Sequence, residues 1–197
     1  MTAKFEPVLT KYIYEEGSHT LEHYEKRGGY AAARKAMEMA PDDITKMVMD
    51  SGLRGRGGAG FPTGRKWSFL AKGTGKPTYL AINGDESEPG TFKDRYLVED
   101  DPHQVLEGMI IASYAIDCHH AFLYLRGEFH LGYERAKAAI NELKAKGYIG
   151  KKTFGKDFEL NITLVRGAGA YICGEETGML SSIEGNRGYP KLKPPFP

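Results

Sequence analysis

Apolar positions along the chain switch between a helical and a strand period, and the switches divide it into short elements. Over residues 20–39 they recur at helical spacing, with a break at Gly28-Gly29. Pro41-Asp42-Asp43 then sets a proline and two acids in the opening turn of a short helix, residues 44–50, which Gly52 stops. Residues 78–83, Thr-Tyr-Leu-Ala-Ile-Asn, are rich in strand formers and end on the turn residues Gly84-Asp85. Val105, Leu106, Met109, Ile110 and Ser113 mark one face of a helix over residues 102–117. Residues 121–126 read as a buried strand stopped by Gly127. Residues 131–146 are the clearest helix, with Ala136, Ala139, Ile140 and Leu143 on one face. Residues 160–165 form a third strand, and a helix over residues 175–183 follows Gly174.

Strands alternating with helices of this length specify an α/β fold with a mostly parallel sheet flanked by helices. Residues 1–51 read as a helical segment preceding the α/β domain, residues 52–197. Open parallel sheets take ligands at the carboxyl ends of their strands. Two informative stretches obey that rule: Asn83-Gly84-Asp85-Glu86 trails the first strand, and Arg166-Gly167-Ala168-Gly169 trails the third.

Composition narrows the function classes. With 27 basic and 26 acidic side chains the net charge is +1, so no global field draws the chain to nucleic acid or anionic lipid. Cys118 and Cys173 are far apart and form neither a disulfide framework nor a metal-ligand set. No apolar run is long enough to span a bilayer, and the amino terminus lacks a signal-peptide core. These features imply a cytoplasmic protein without direct membrane insertion, leaving attachment to a membrane complex through a partner open.

The densest chemistry lies in residues 52–67. Six glycines fall between Gly52 and Gly64, flanked by Arg54, Arg56, Arg65 and Lys66, with Phe61 and Trp67 adding flat apolar surface. That mixture suits a ligand carrying phosphates and aromatic rings, a dinucleotide or a flavin. Gly55, Gly57 and Gly60 fit the spacing Gly-x-Gly-x-x-Gly, but the loop follows a helix, whereas the usual dinucleotide fingerprint follows a strand. Arg54-Gly55-Arg56-Gly57-Gly58 also mimics an RNA-binding Arg-Gly segment. It occurs once, inside an ordered pattern and a near-neutral chain, which argues against RNA.

Asp85, Glu86 and Glu88 place three carboxylates within four positions. They are either a solvated acidic loop or acceptors for the hydroxyls of a polyol or ribose, and their place after a buried strand favours acceptors. A small-residue loop, residues 167–174, leads into Glu175 and Glu176. A helix start there offers amides to a phosphate, unless the two acids themselves satisfy the helix dipole. The proline- and lysine-rich stretch 184–197 reads, on its own, as a linker.

Residues 52–69, 83–95, 167–177 and 184–197 together resemble, in order and spacing, the flavoprotein subunit of respiratory complex I. This is the F-type subunit of NADH:quinone oxidoreductase. The same module serves as the diaphorase subunit of NAD-reducing hydrogenases and NAD-linked formate dehydrogenases. The resemblance implies a Rossmann-like domain binding FMN and NAD(H). Gly55, Gly57 and Lys66 would lie against FMN together with Asn83, Asp85 and Glu86, and Arg56, Gly58, Ala59, Gly60 and Gly64 would complete that loop. Tyr171, Gly174, Glu175 and Glu176 would line the same pocket. Phe61 and Phe69 would stack on the NADH adenine, with Phe196 completing the wall. Glu88 would take NADH hydroxyls, and Lys193 would lie near the cofactor's polar groups. Hydride passes between cofactors, so no catalytic side chain or metal ligand is implied; Glu88 and Glu175 are the nearest candidates.

The family's partners are a small 2Fe-2S subunit and a larger iron–sulfur subunit, on the cytoplasmic side of the inner membrane. Its ubiquitin-like domain and 4Fe-4S helical domain lie beyond the stretch corresponding to these 197 residues. The resemblance leaves open a diaphorase piece of a hydrogenase or formate dehydrogenase, and a non-catalytic nucleotide-binding or assembly module. Gly178 and Ser181 depart from the family pattern of a small helix former and an acid. A helical glycine costs ~1 kcal/mol relative to alanine, so Gly178 is expected to weaken its helix.

Overall fold

The computed structural model describes residues 6–71 and 73–193. Strands β1 (Thr78–Gly84), β2 (Cys118–Leu125) and β3 (Asn161–Arg166) form one parallel sheet in the order β1-β2-β3. Gly84 pairs with Leu125 and Leu125 with Arg166, so all three strands end at the same level. Parallel neighbours require crossovers, and helices supply them. α5 (Asp94–Asp100) and α6 (Pro102–Ala115) join β1 to β2, and α7 (His130–Lys146) joins β2 to β3.

Alternation along each strand assigns the two faces. Leu80, Ile82, Ala121, Leu123, Leu125, Ile162 and Leu164 point to one side. There they meet Leu106, Met109 and Ile110 of α6 and Ala136, Ala139, Ile140 and Leu143 of α7. On the other side Ala81, Tyr124 and Val165 meet Cys173, Met179 and Ile183 of α8 (Glu176–Ile183) and the turn before it. Both cysteines are buried free thiols.

The amino-terminal helices are α1 (Leu21–Lys26), α2 (Ala31–Ala36) and α3 (Pro41–Asp50). The Gly28-Gly29 break is there because a side chain at Gly29 would collide with the Tyr24 ring. Leu21, Tyr24, Tyr30, Ala33 and Met37 enter the same core as α6 and α7. A polar network ties them down. Tyr24 Oη donates to Glu107 Oε2 at 2.5 Å, and Tyr30 Oη and His103 Nδ1 are 2.8 Å apart. Arg27 pairs with buried Asp101 at 2.5 Å. Burial pushes His103 down to about 4, so it sits in this network as a neutral ring.

Two helices are absent from the sequence pattern: α4 (Thr63–Ser68) and α5. α4 is a single short turn and a half inside the glycine-rich stretch. Its Gly64 is buried because α4 packs backbone to backbone against Met49 of α3. α5 buries only Val98, so it carries no apolar period to read.

Candidate functional site

A cleft of about 370 Å³ opens at the carboxyl end of β1. Arg56, Gly57 and Gly58 form one wall; Asn83, Asp85, Glu86 and Glu88 form the floor and rim; Thr91, Lys93, Asp94 and Gly174 complete it. The glycine loop reaches it as a narrow excursion between α3 and α4. Arg54 bridges Pro62, Gly55 N donates to Phe61 O at 2.9 Å, and Thr63 N donates to Leu53 O at 2.8 Å. Arg54 Nε fastens the loop from inside through Gly60 O at 2.6 Å. Side-chain-free Gly57 and Gly58 have open space around them at the tip, so a ligand can approach the backbone there.

The floor is built from the strand end outward. Asn83 Nδ2 donates to Gly174 O at 2.8 Å, joining β1 to the 3-10 turn Tyr171–Gly174. Its Oδ1 accepts the Asp85 amide at 3.1 Å, folding the chain back after the strand. Asp85 is buried; Oδ1 accepts from Ser87 Oγ at 2.8 Å, while Oδ2 is buried and has no partner. Burial pushes the Asp85 carboxyl above its ordinary value, against the Ser87 hydrogen bond and the Arg126 charge. Glu86 is 2% exposed. Its Oε2 accepts the amides of Lys93 at 2.9 Å and Asp94 at 2.7 Å, and its Oε1 is buried without a partner. Arg126 Nη1 donates to the Glu86 carbonyl at 3.0 Å. Buried polar groups are almost always paired, so two orphaned carboxylate oxygens on consecutive residues of the cleft lining point to a donor-rich ligand.

A larger cleft of about 720 Å³ lies at the other end of β1, between α3 and the loop after α4. Of the ligand-suited residues of the glycine-rich stretch only Trp67 lines it, and no buried unpartnered group does, among the described residues. Chemistry, rather than size, selects the smaller one.

The other expected residues fall around the cleft in different ways. Phe61 and Phe69 meet at 6.0 Å between centroids, tilted by 57°, as an exposed aromatic pair beside the loop. Lys66 is exposed on α4, Gly55, Ala59 and Gly60 lie along the loop, and Tyr171 is exposed on the 3-10 turn; none of these lines the cleft. Gly64 is a packing residue between α3 and α4. Lys193 pairs with Glu176, and Phe196 lies outside the described residues.

The start of α8 resolves the alternative left open for Glu175. Its Oε2 accepts Thr177 N and Gly178 N, each at 2.9 Å, and Thr177 Oγ1 at 2.5 Å. These bonds, that from the Thr177 hydroxyl first, hold the carboxyl below its ordinary value. The amides a phosphate would use are therefore taken by the chain itself. Thr177 Oγ1 in turn accepts Lys191 N at 2.8 Å, which lays residues 186–193 across α8.

Gly178 is where the expectation of a weakened helix needs correcting. A Cβ there would sit 2.8 Å from Ile172 O and 3.2 Å from Gly188 O. Gly178→Ala is expected to destabilise by roughly 1–3 kcal/mol, although alanine favours an isolated helix. A rise in melting temperature for the alanine variant would contradict this packing argument.

Thr91, Lys93, Asp94 and Arg126 escaped the sequence pattern. They are ordinary surface residue types, and the one available cue was that a buried Glu86 needs donors from a nearby chain.

A family model described as the Nuo51 FMN-binding domain matches residues 48–197. The chain belongs to the Nuo51 FMN-binding domain family. Among curated relatives, an F-type NADH-quinone oxidoreductase subunit of Rhizobium meliloti, its form F 2, is 54% identical over 98% of this chain and 46% of its own length. The F-type NADH-quinone oxidoreductase subunit of Aquifex aeolicus is 55% identical over 96% of this chain and 44% of its own. The chain thus spans less than half the length of these relatives. A crystal structure of NAD+-reducing nickel–iron hydrogenase in the H2-reduced state superposes with a TM-score of 0.77 at 38% identity, over 90% of this chain and 30% of that one. Membership in the Nuo51 FMN-binding domain family accords with the α/β fold and with a ligand cleft at the carboxyl edge of the sheet. Among the described residues no helix is long and apolar enough to cross a membrane.

Proposed function

We propose that this chain is the FMN- and NADH-binding module of an NADH dehydrogenase flavoprotein subunit. The observation that carries the reading is the pair of buried, unpartnered oxygens, Asp85 Oδ2 and Glu86 Oε1, on two residues that line a cleft walled by a bare glycine loop. Those groups fit FMN: two carboxylates accept ribityl hydroxyls, and the open amides at Gly57 and Gly58, beside Arg56, suit a phosphate. FMN, when bound, supplies the ring that takes a hydride from the nicotinamide. The chain binds, orients and excludes water. Asn83 fixes Gly174 at the cleft wall, Glu88 stands exposed at the rim for NADH hydroxyls, and Phe61 and Phe69 offer π-faces to the adenine.

We further assign residues 1–51 as a helical segment preceding the cofactor-binding domain, 52–197. In a complete subunit, electrons would pass to a 4Fe-4S cluster in the part beyond this stretch, then through a small 2Fe-2S and a larger iron–sulfur partner toward quinone. That complex would sit on the cytoplasmic side of the membrane. Relatives at 53–55% identity carry the quinone-oxidoreductase name and the hydrogenase structure stands at 38%, which favours the first parentage.

The test is reconstitution. FMN should bind stoichiometrically by fluorescence quenching, and NADH should bleach the bound flavin and reduce ferricyanide. A protein that binds nucleotide without any redox change would support the non-catalytic alternative instead.

Glu175 carries a selectivity prediction. A carboxylate near the adenosine ribose repels a 2′-phosphate, and glutamine keeps the oxygen that caps α8 while removing the charge. Glu175→Gln is expected to narrow the NADH-over-NADPH preference roughly tenfold, in line with a like-charge contact of one to a few kcal/mol. Unchanged selectivity in ferricyanide assays would remove Glu175 from that role.

A further inference from the structure

We propose that Glu86 is a positioning residue that couples occupation of the cleft to order at the amino end of α5. This rests on the FMN reading above and goes beyond it, because it assigns a consequence of binding to α5, of which only the first residue, Asp94, lines the cleft.

The carboxylate is divided between two tasks. Oε2 is the cap of α5, holding the amides of Lys93 and Asp94 at 2.9 and 2.7 Å. α5 has no cap of its own: the residue before it, Lys93, makes no capping side-chain hydrogen bond. Oε1 of the same carboxylate is buried and unpartnered on a residue that lines the cleft. A hydroxyl donated to Oε1 fixes the side-chain torsions that also aim Oε2 at the α5 amides. The ordering is then shared: the ligand stiffens the cap, and by linkage the intact cap strengthens the ligand site.

The rest of α5 is held independently. Arg135 of α7 donates through Nη1 to Glu99 O at 2.7 Å and lies 3.0 Å from Asp100 Oδ1, and Val98 is buried in the core. Only the amino end therefore depends on Glu86. Lys93 Nζ does not supply the missing donor to Oε1. It sits 2.5 Å from Asp94 Oδ2 and 3.9 Å from Glu86 Oε2.

Hydrogen exchange on the 197-residue chain, with and without saturating FMN, tests the coupling. Amides of Lys93 and Asp94 should slow at least tenfold on loading, while those of Val98 to Asp100 change less than threefold. Glu86→Gln has one acceptor oxygen where the carboxylate has two, so at saturating FMN its slowing at Lys93 and Asp94 should shrink to within twofold. Arg135→Ala, remote from the cleft, should speed exchange at the carboxyl end of α5 and leave the FMN effect at Lys93 and Asp94 intact. FMN binding with no slowing at these two amides, or with equal slowing in every helix, overturns the coupling and leaves the functional reading standing. Failure of FMN to bind overturns both.

Discussion

Asp85→Asn should raise the FMN dissociation constant about thirtyfold and leave the apo-protein at least as stable as the parent. A charge-assisted hydrogen bond contributes roughly 1.5–3 kcal/mol, and ~2 kcal/mol corresponds to that factor. Asparagine preserves the shape and the oxygen that accepts from Ser87, and replaces the unpartnered Oδ2 with an amide donor. It therefore removes the acceptor the ligand needs without emptying the site. It also removes a charge whose burial the apo fold must bear. A variant that loses affinity and stability together would mean Asp85 is a structural residue.

The same group separates two pH trends. Burial raises the Asp85 carboxyl in the fold. A raised value means the folded chain favours the protonated form. Its contribution to stability is full below the unfolded carboxylate value, about 3.9, and is lost as pH rises through the folded value. Apo stability of the parent should therefore carry a falling component over that window which Asp85→Asn lacks. FMN affinity should move oppositely, rising as the carboxylate ionises and becomes a stronger acceptor. Thermal melts and fluorescence titrations across that range read the two trends independently.

The sheet and its crossovers were legible because they rest on periodicity. All three strands and the helices α6, α7 and α8 lie within a few residues of their expected positions. α4 and α5 were hidden for the opposite reason, since neither has a stripe of apolar residues and both exist through tertiary contacts. The cleft was half legible. Asp85 and Glu86 stood out as carboxylates after a buried strand, and they are its buried floor. Nothing in residue type distinguishes them from exposed Glu88, because burial is set by where the chain turns after Asn83. Gly178 shows the same limit and Glu175 does not. Glu175 caps α8 through amides only two and three residues on, one of the two readings its sequence left open, whereas Gly178 makes room for the carbonyls of Ile172 and Gly188, which only the folded turn and tail bring to it.

Glu107→Ala is expected to cost roughly 3–5 kcal/mol of stability, the largest loss we anticipate from a single substitution outside the cleft. α2 starts at Tyr30 with φ of 63°, has no side-chain cap of its own and no acid in its first turn. Glu107, reaching over from α6, supplies both functions. Oε2 accepts Tyr30 N at 3.0 Å and the Tyr24 hydroxyl, and Oε1 accepts Ala33 N at 2.9 Å. Truncation strands two buried amides and a buried hydroxyl, each costing about 1–3 kcal/mol when left unpaired. It also removes the negative charge facing a helix amino terminus. Tyr24, Tyr30 and Ala33 belong to the core that covers the sheet, so the loss should lower the whole melting transition. At about 2–4 °C per kcal/mol for a chain of this size, the midpoint should fall by roughly 6–20 °C. Glu107→Gln keeps a single acceptor oxygen and should fall between parent and alanine variant. A shift below about 2 °C for the alanine variant would show that the α2 amides find water or another acceptor, and that the amino-terminal helices are held by their apolar contacts alone.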